Sequence, residues 1–381
     1  MDASVNRIPS SKDERALIFG IRIRGSGSKD LENSLDELAL LVKTAGAVVA
    51  GKHIVNRDRI DASFIVGKGY LEEVSKMIAA QNIRLIVFDL DAIRPAQVRN
   101  LEDRLACRVV GRTEIIMDIF ARRARSAEAK IQVELAQLRY ILPRLKGLGG
   151  VLSRLGGGIG TRGPGEKMLE TDRRHILRRI KTLKLKLDRI RKHRATARKS
   201  RRNELIGAVV GYTNAGKSTI INCLAHDDLF VEDRLFATLD SYTRTVYLAD
   251  SKKCLLVDTV GFIRNLPSHL IESFKSTIEE IQSADFLIHV VDLSSPDIKS
   301  NIHTVNREIS ELGCLSKKTI LFFNKADLLP GEAAVNNTQN RYPDSIIGSA
   351  VMGAGLDELK SRIIEIYDAC VESREDQDGV C

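Results

Sequence analysis

The chain has 381 residues, of which 43% are hydrophobic and 29% are charged, and its formal net charge is +9. This length predicts two or three domains with cores of their own, and the balance of residues is that of a soluble globular protein. Six scattered cysteines without a CxxC pair argue against a zinc site or a disulfide framework, and the lack of a signal-peptide pattern or membrane-spanning stretch predicts a cytoplasmic protein.

The first hundred residues alternate between strand and helix patterns. Strand-like runs cover Ala16–Ile23, Ala47–Val55, Leu85–Phe88 and Arg108–Val110, and helical patterns cover Leu31–Ala45, Tyr70–Ala80 and a segment that begins near Pro95. This alternation predicts a small parallel-sheet α/β domain over residues 1–112.

The tripeptide Gly67-Lys68-Gly69 interrupts this alternation. It invites comparison with a phosphate-binding loop, but it lacks the spacing and the terminal Ser or Thr of a P-loop. Two interpretations stay open. Either the tripeptide belongs to a second nucleotide site, or it is a turn whose glycines supply positive φ angles.

A helical pattern begins at Thr113 and runs to about residue 146. Two seams share the spacing 4, 3, 4, 3, and they consist of Ile131, Leu135, Leu138, Leu142 and Leu145, then Ile176, Ile180, Leu183, Leu187 and Ile190. They predict an antiparallel helical hairpin over residues 113–202. Pro143 is expected to kink or end the first helix.

The predicted hairpin is basic and has a glycine-rich tip. Residues 147–166 hold nine of the chain's 27 glycines together with Arg154 and Arg162, and residues 171–202 hold fifteen Lys or Arg against two Asp. That local charge of +13 leaves −4 for the rest of the chain. A polyanion partner is indicated, either RNA or an anionic membrane. The alternatives are a flexible linker for the glycines and a solvated face for the helix.

The octet Gly211-Tyr212-Thr213-Asn214-Ala215-Gly216-Lys217-Ser218 follows the apolar run Leu205–Val210 and precedes a helical pattern. It matches GxxxxGK[ST], the P-loop, in which backbone N–H groups and a helix N-terminus bind phosphates. Lys217 is expected to reach the β- and γ-phosphates, and Ser218 is expected to bind Mg²⁺.

Strand and helix patterns alternate again after the octet. They comprise Cys254–Asp258, Leu287–Asp292, Thr319–Asn324, Ile346–Ala350 and a closing helix from Leu356 to about Val371. The order predicts a doubly wound P-loop GTPase domain over residues 203–371, with its ligand at the carboxyl ends of the strands. Residues 372–381 are expected to form a frayed polar tail.

Two motifs at strand ends identify the nucleotide. In Asp258-Thr259-Val260-Gly261, the carboxylate can hold Mg²⁺ through water and the Gly261 N–H can sense a γ-phosphate. In Asn324-Lys325-Ala326-Asp327, Asp327 can accept from both N1–H and the amine of guanine, a donor pair that adenine lacks. The sequence therefore predicts a preference for GTP over ATP.

Two further segments complete the predicted site. Ser349-Ala350 would place a backbone N–H on the guanine oxygen, and Val351 follows it. In the loop Phe236-Ala237-Thr238-Leu239-Asp240, Thr238 is the candidate for a second hydroxyl on Mg²⁺.

One side chain expected in Ras-like enzymes is missing. Phe262 follows Gly261, where those enzymes have the Gln that orients the attacking water. Asn214 is a candidate ligand for a K⁺ ion that would replace an arginine finger; the alternative is that Asn214 only stabilises the loop.

Together these segments resemble the HflX family of GTPases. GYTNAGKST, FATLD, DTVGFIRNLP and NKAD are similar to that family's nucleotide motifs, and RTEIIMDIFARRARSAEAKIQVELAQLRYILPRL and GGGIGTRGPGExxLETDRR are more diagnostic of it. The similarity runs from about Ala16 to about Tyr367. Lys167 and Met168 depart from the pattern of the glycine-rich stretch, and the small C-terminal domain of many relatives is expected to be absent.

The resemblance implies an N-terminal HflX domain and a hairpin that docks on the large (50S) ribosomal subunit, with the glycine-rich loop near its rRNA. It also implies that Gly211–Ser218, Phe236–Asp240, Asp258–Gly261, Asn324–Asp327 and Ser349–Val351 bind GTP, with Ser218 and Thr238 on Mg²⁺. We expect Lys217, Thr238 and the Gly261 backbone to stabilise the transferred phosphoryl group.

The implied function is a monomeric GTPase that acts in ribosome splitting or rescue, or in subunit biogenesis. Two alternatives belong to other classes. One is an RNA-binding assembly module that holds GTP as a structural ligand. The other is a peripheral membrane GTPase, although the basic stripe lacks the Trp or Phe residues that favour a bilayer interface.

Overall fold

The computed structural model describes residues 14–24, 28–152, 164–199, 204–225, 235–240, 242–249, 252–264, 270, 275–329 and 331–378. The chain divides into two compact units. The first consists of Met1–Ile190 with Asn265–Ser273, and the second consists of Arg191–Arg264 with Phe274–Cys381. The predicted fold class is confirmed, because a parallel-sheet domain and a helical hairpin precede a P-loop α/β domain.

The first unit begins with four strands that alternate with helices. In chain order they are β1 (Arg15–Ile23), α1 (Ser28–Thr44), β2 (Val48–Arg57), α2 (Lys68–Gln81), β3 (Leu85–Phe88), α3 (Pro95–Leu105), β4 (Arg108–Gly111) and α4 (Arg112–Arg123). Within the described residues the strands form a parallel sheet in the order β2-β1-β3-β4. Apolar runs such as Ala16–Phe19 and Leu85–Phe88 are fully buried, as expected for strands covered on both faces.

The GKG tripeptide lies at the start of α2. Gly67 is the N-cap residue with a φ of 80°, and the helix begins at Lys68. Since an L side chain rarely adopts that φ, a turn that needs glycine accounts for Gly67.

Two long helices follow, α5 (Ala127–Leu152) and α6 (Pro164–Lys199), and the first unit includes α6 as far as Ile190. The predicted seams meet in one apolar cluster, in which Leu135, Leu138 and Leu183 are buried together with Ile180 and Leu187. Arg179 binds Glu134 through two hydrogen bonds of 2.6 and 2.9 Å. The antiparallel pairing thus rests on the seams that the sequence predicts.

The bounds of the hairpin differ from the prediction. Helix α5 continues through Pro143 to Leu152, and α6 already begins at Pro164, so the predicted loop over 147–166 is helical at both ends. Packing of Leu138 and Leu142 against α6 offsets the missing hydrogen bond of Pro143, as tertiary contacts commonly override propensity. The central loop residues 153–163, including Arg154 and Arg162, and the side chains of Lys167 and Met168 lie outside the described residues.

The second unit contains the P-loop and a larger sheet. Its elements are β5 (Leu205–Gly211), α7 (Lys217–Ala225), β6 (Thr243–Tyr247), β7 (Lys253–Asp258), α8 (Lys275–Ser283), β8 (Phe286–Asp292), α9 (Ile298–Glu311), β9 (Lys318–Asn324), α10 (Glu332–Arg341), β10 (Ile346–Ile347) and α11 (Leu356–Asp378). Within the described chain the strand order is β10-β9-β8-β5-β7-β6, with β6 antiparallel to β7.

Three details of this unit differ from expectation. Strand β6 lies outside the predicted elements, because its alternating sequence TRTVY buries only Val246 on an edge of the sheet. Helix α11 continues to Asp378, so most of the expected polar tail is helical; its charged residues are adequate helix formers. The boundary between the units also lies within α6, where Arg191 and Arg194 pair with Glu279 and Glu280 of α8 at 3.6 and 3.1 Å.

No helix in the described part of the chain is long and apolar enough to cross a bilayer.

Candidate functional site

The ends of four parallel strands in the second unit surround one cavity of about 350 Å³. The P-loop follows β5, the segment from Asp258 to Gly261 closes β7, and two further loops follow β9 and β10. The cavity is lined by Thr213, Asn214, Gly216, Lys217, Ser218, Thr219, Phe236, Ala237, Thr238, Thr259, Gly261, Asn324, Lys325, Asp327, Leu328, Ser349, Ala350 and Val351. Five segments that are distant in sequence therefore form one site.

The P-loop encloses the ammonium group of Lys217. This buried side chain donates to the carbonyl oxygens of Gly211 and Tyr212, at 3.3 and 2.9 Å. Gly216 has a φ of 91°, and a Cβ there would overlap the Asn324 amide nitrogen. Glycine is needed at this position both for the backbone conformation and for the close approach of Asn324.

Asn324 joins the P-loop to the loop that follows β10. Its amide nitrogen donates to the Ala215 carbonyl at 2.9 Å, and its amide oxygen accepts from the Ala350 N–H at 2.9 Å. The next residue, Lys325, adopts a φ of 64° and pairs with Asp292 at 2.7 Å. These contacts place Asp327 at the rim of the cavity, where an acceptor can meet a base edge.

Three oxygen-bearing side chains converge beside Lys217. The Ser218 hydroxyl lies 2.6 Å from Asp258 Oδ2 and 2.7 Å from the Thr238 hydroxyl, which in turn lies 2.9 Å from Asp258 Oδ2. Asp258 Oδ1 is buried and has no hydrogen-bond partner among the described residues. Two hydroxyls and a carboxylate with an unsatisfied oxygen are a donor set that fits Mg²⁺.

Burial shifts the pKa values of two charged groups of this site in opposite directions. It lowers the pKa of Lys217 to about 8, although the Asp258 carboxylate opposes that shift. It raises the pKa of Asp258, while the hydrogen bond from Ser218 and the charge of Lys217 act the other way. Both groups are poorly solvated, so each gains from a ligand that supplies the opposite charge.

Gly261 lies against the P-loop. A Cβ at this position would lie 2.7 Å from the Cα of Thr213 and 2.8 Å from the Lys217 ammonium nitrogen. Phe262, the residue in place of Gln, packs with Tyr212 against the apolar cluster of Ala208, Val210, Leu287 and Val305. Its half-buried phenyl ring has no hydrogen-bonding group that could orient a water.

The remaining predicted residues are not among those that line the cavity. Ala215, Asp258 and Leu239 are buried, and Gly211 ends β5 where a Cβ would overlap the Val290 carbonyl. Tyr212, Asp240, Val260 and Ala326 are half-buried. Conversely, Thr219 and Leu328 line the cavity although neither belongs to the residues predicted from the sequence. Leu328 directly follows Asp327, and that adjacency was the available signal.

Asn214 lines the cavity with a φ of 63°. Asn tolerates this left-handed conformation better than most residues. Its presence therefore has a structural reason that is independent of the K⁺ hypothesis.

A separate basic surface lies on α6 in the first unit. Ile180, Leu183 and Leu187 face α5, and the other side of the helix is exposed. The exposed cations are Arg174, Arg178, Arg179, Lys181, Lys184, Lys186 and Arg189. We refer to these seven residues as the α6 basic face.

Comparison with protein families assigns three consecutive segments. Residues 32–121 match a family described as GTP-binding GTPase N-terminal, and residues 123–201 match the GTP-binding GTPase middle region. Residues 207–325 match a family described as 50S ribosome-binding GTPase. The second segment contains the hairpin and the third contains the cavity.

Individual relatives agree with these families. The chain is 47% identical to the GTPase HflX of Caldanaerobacter subterraneus, over 92% of this chain and 80% of that protein. It is 40% identical to the GTPase HflX of Escherichia coli, over 92% and 82%. A crystal structure of a protein called SsGBP in complex with GDP is 24% identical, with a TM-score of 0.52 over 93% of this chain and 98% of that one, a likeness that concerns the fold alone.

Proposed function

Because this chain belongs to the HflX family of GTPases, we propose that it is a GTP-driven switch that docks on the large (50S) ribosomal subunit. The observation that carries the nucleotide half of the proposal is the convergence of Lys217, the Ser218–Thr238–Asp258 oxygen cluster and Gly261 on one cavity. The α6 basic face supports the ribosomal half.

GTP binding follows from the lining of the cavity. The P-loop backbone and the Lys217 ammonium would bind the phosphates, and Asp327 would accept from the guanine edge. Ala350 and Ser349 would lie beside the guanine oxygen. Leu328 presents an apolar side chain at the same rim, so it would cover a face of the base.

Hydrolysis places charge on the γ-phosphoryl oxygens, and three groups of this chain would stabilise it. They are the Lys217 ammonium, the Gly261 N–H and the loop that carries Thr238. Bound Mg²⁺, held by Ser218 and Thr238 with Asp258 behind them, would neutralise part of the phosphate charge. No side chain is assigned as general base, because Phe262 offers no hydrogen-bonding group at the position after Gly261.

Docking on the ribosome would use the α6 basic face. Its seven cations are exposed on α6 around the apolar seam that packs on α5, and Arg179 among them also pairs with Glu134 of α5. Such a surface matches the phosphate backbone of rRNA. The protein would act as a monomer in the cytoplasm, either in splitting or rescue of ribosomes or in biogenesis of the large subunit.

The test is GTP turnover in Mg²⁺ with and without purified large ribosomal subunits, at two salt concentrations. We expect stimulation by the subunits that falls steeply with salt, because counterion release drives binding to a polyanion. Turnover that ignores the subunits but responds to anionic vesicles would favour the membrane alternative. Binding of GTP without turnover in any condition would favour the structural-ligand alternative.

A further inference from the structure

The segment that follows Gly261 is fastened to the P-loop through its backbone. The Phe262 N–H donates to the Gly211 carbonyl at 3.1 Å, and the Thr213 N–H donates to the Phe262 carbonyl at 2.8 Å. These two bonds form a parallel bridge between Tyr212 and Phe262. Gly261 directly precedes Phe262, so these two hydrogen bonds to the P-loop also restrict the position of Gly261.

Tyr212 adds a side-chain bond to this contact. Its ring packs against the apolar cluster beside Phe262, while its hydroxyl accepts from the Arg264 N–H at 2.9 Å. The carbonyl of the same residue accepts from Lys217 at 2.9 Å. One residue thus contacts both the ammonium that faces the phosphates and the segment that carries Gly261.

Arg264 is held at its other end by α9. Its guanidinium donates to the Asp297 carboxylate at 2.6 Å, and Asp297 is the N-cap residue of that helix. The two side chains are 16% and 29% exposed, so the pair is better shielded than a surface ion pair. The backbone of Arg264 and its side chain are fixed to two different elements of the same unit.

We propose that Tyr212 and Asp297 are positioning residues for the γ-phosphate: through Arg264 they hold Gly261 where its N–H meets a nucleoside triphosphate. The inference rests on the proposed function and concerns the same cavity. A diphosphate lacks the γ-phosphate that the Gly261 N–H would meet. The contact would therefore favour GTP over GDP by ordering the segment before the nucleotide binds, because a preordered donor loses less entropy on binding.

The decisive variant is Tyr212→Phe, which removes one oxygen and keeps the ring in its apolar cluster. The affinities for GDP and for a non-hydrolysable GTP analogue would be measured by titration calorimetry in Mg²⁺. We expect the affinity for the analogue to fall about fivefold more than the affinity for GDP, since one partly buried hydrogen bond contributes about 1 kcal/mol. Single-turnover hydrolysis should slow by a similar factor. Tyr342→Phe makes the same chemical change in the apolar cluster of Phe323, where no bond to Arg264 is involved, and should leave the ratio of the two affinities as it is.

Asp297→Asn tests the other end of the contact. Asn is an equally good N-cap residue, so α9 should keep its start, while the charge that holds Arg264 is removed. The same selective weakening of the analogue is expected. In the double variant, the affinity for the analogue should fall by less than the product of the two single-variant factors, because both substitutions act through Arg264. Asp297→Glu should recover part of the effect.

Equal weakening of both nucleotides, or tighter binding of the analogue, would overturn the proposal, as would independent effects in the double variant. Failure of the proposed function would look different. A wild-type protein without GTP turnover contradicts the GTPase assignment, yet its ratio of analogue to GDP affinity still tests the role of Tyr212.

Discussion

At the residue scale, Gly216 illustrates how a short motif depends on a contact that is remote in sequence. Its φ of 91° and the Asn324 amide beside it exclude a side chain. Asn324 cannot move away without releasing the Ala215 carbonyl and the Ala350 N–H. The glycine of the P-loop is therefore required by a residue that lies 108 positions later.

We predict that Gly216→Ala lowers the affinities for GDP and GTP by at least about a hundredfold. The reason is that a strained backbone and a displaced Asn324 together cost roughly 3 kcal/mol. Fluorescence titration with a labelled nucleotide measures this weakening. Gly331→Ala is the matched control, since Gly331 has open space around it and an extended φ. Near-normal affinity of Gly216→Ala would contradict the close approach of Asn324.

A second prediction concerns His289, which is buried in the middle of β8. Burial, with a smaller contribution from the Lys217 charge, lowers its pKa to about 4. The unfolded chain takes up the proton near the ordinary pKa of about 6.5, whereas the folded protein resists until about 4. The free energy of unfolding should therefore fall by about 3 kcal/mol as the pH drops from 6.5 to 4.

Denaturant unfolding at several pH values would measure that slope. His289→Leu should flatten it between pH 6.5 and 4 by removing the titrating group, whatever its effect on stability at pH 7. Replacement of the exposed His303 by Leu should keep the original slope. Identical slopes for wild type and His289→Leu would mean that other groups account for the pH dependence.

At the element scale, the hairpin depends on one face of α6. Leu183 is 1% exposed in the cluster with α5, whereas Leu185, two residues on, is 55% exposed among the basic residues. Helical periodicity assigns the two leucines to different faces, and only the first contributes buried area.

We predict that Leu183→Ala destabilises the pairing of α5 and α6 by about 3 kcal/mol, which is typical of large-to-small core substitutions. Leu185→Ala should change it by less than about 0.5 kcal/mol. Hydrogen exchange of α5 amides is the suitable measurement, because a chain of two units need not unfold in one step. An equal decrease of protection in the two variants would contradict the assigned faces.

The elements that sequence predicts well are those with strong periodicity. The seams of α5 and α6 and the buried strands β3 and β8 agree with their patterns within a residue or two. Strand β6 escaped prediction because an edge strand buries little, and helix α5 passes Pro143 because its packing partner is far along the chain. The contact among Tyr212, Arg264 and Asp297 could not be predicted either, since each residue is ordinary in its own segment.

At the scale of the whole molecule, the uneven distribution of charge should govern partner binding. Residues 171–202 carry +13, and the remainder of the chain is slightly acidic. Any polyanion should therefore meet the α6 basic face first. Net charge alone would not give that selectivity, because it acts equally over the surface.

We predict that Lys181→Gln with Lys184→Gln weakens binding to the large subunit and lowers the slope of log K against log salt by about 2, one for each phosphate that is no longer neutralised. Sedimentation at several salt concentrations measures this slope. Lys43→Gln with Lys76→Gln removes the same charge from exposed positions of α1 and α2. Equal effects of the two pairs would indicate attraction to net charge and not to the hairpin.

The two bonds made by Asn324 also determine how the protein could be re-engineered. Asn324 joins the P-loop to the loop that follows β10, whereas Asp327 stands at the cavity rim, where we propose that it contacts the base alone. The chemical identity of the base is thus separable from the architecture of the site. An amide in place of the Asp327 carboxylate would present a donor to a base with a carbonyl where guanine has its amine. One substitution could yield a protein driven by an orthogonal nucleotide, whose activity in a cell is controlled independently of the GTP pool.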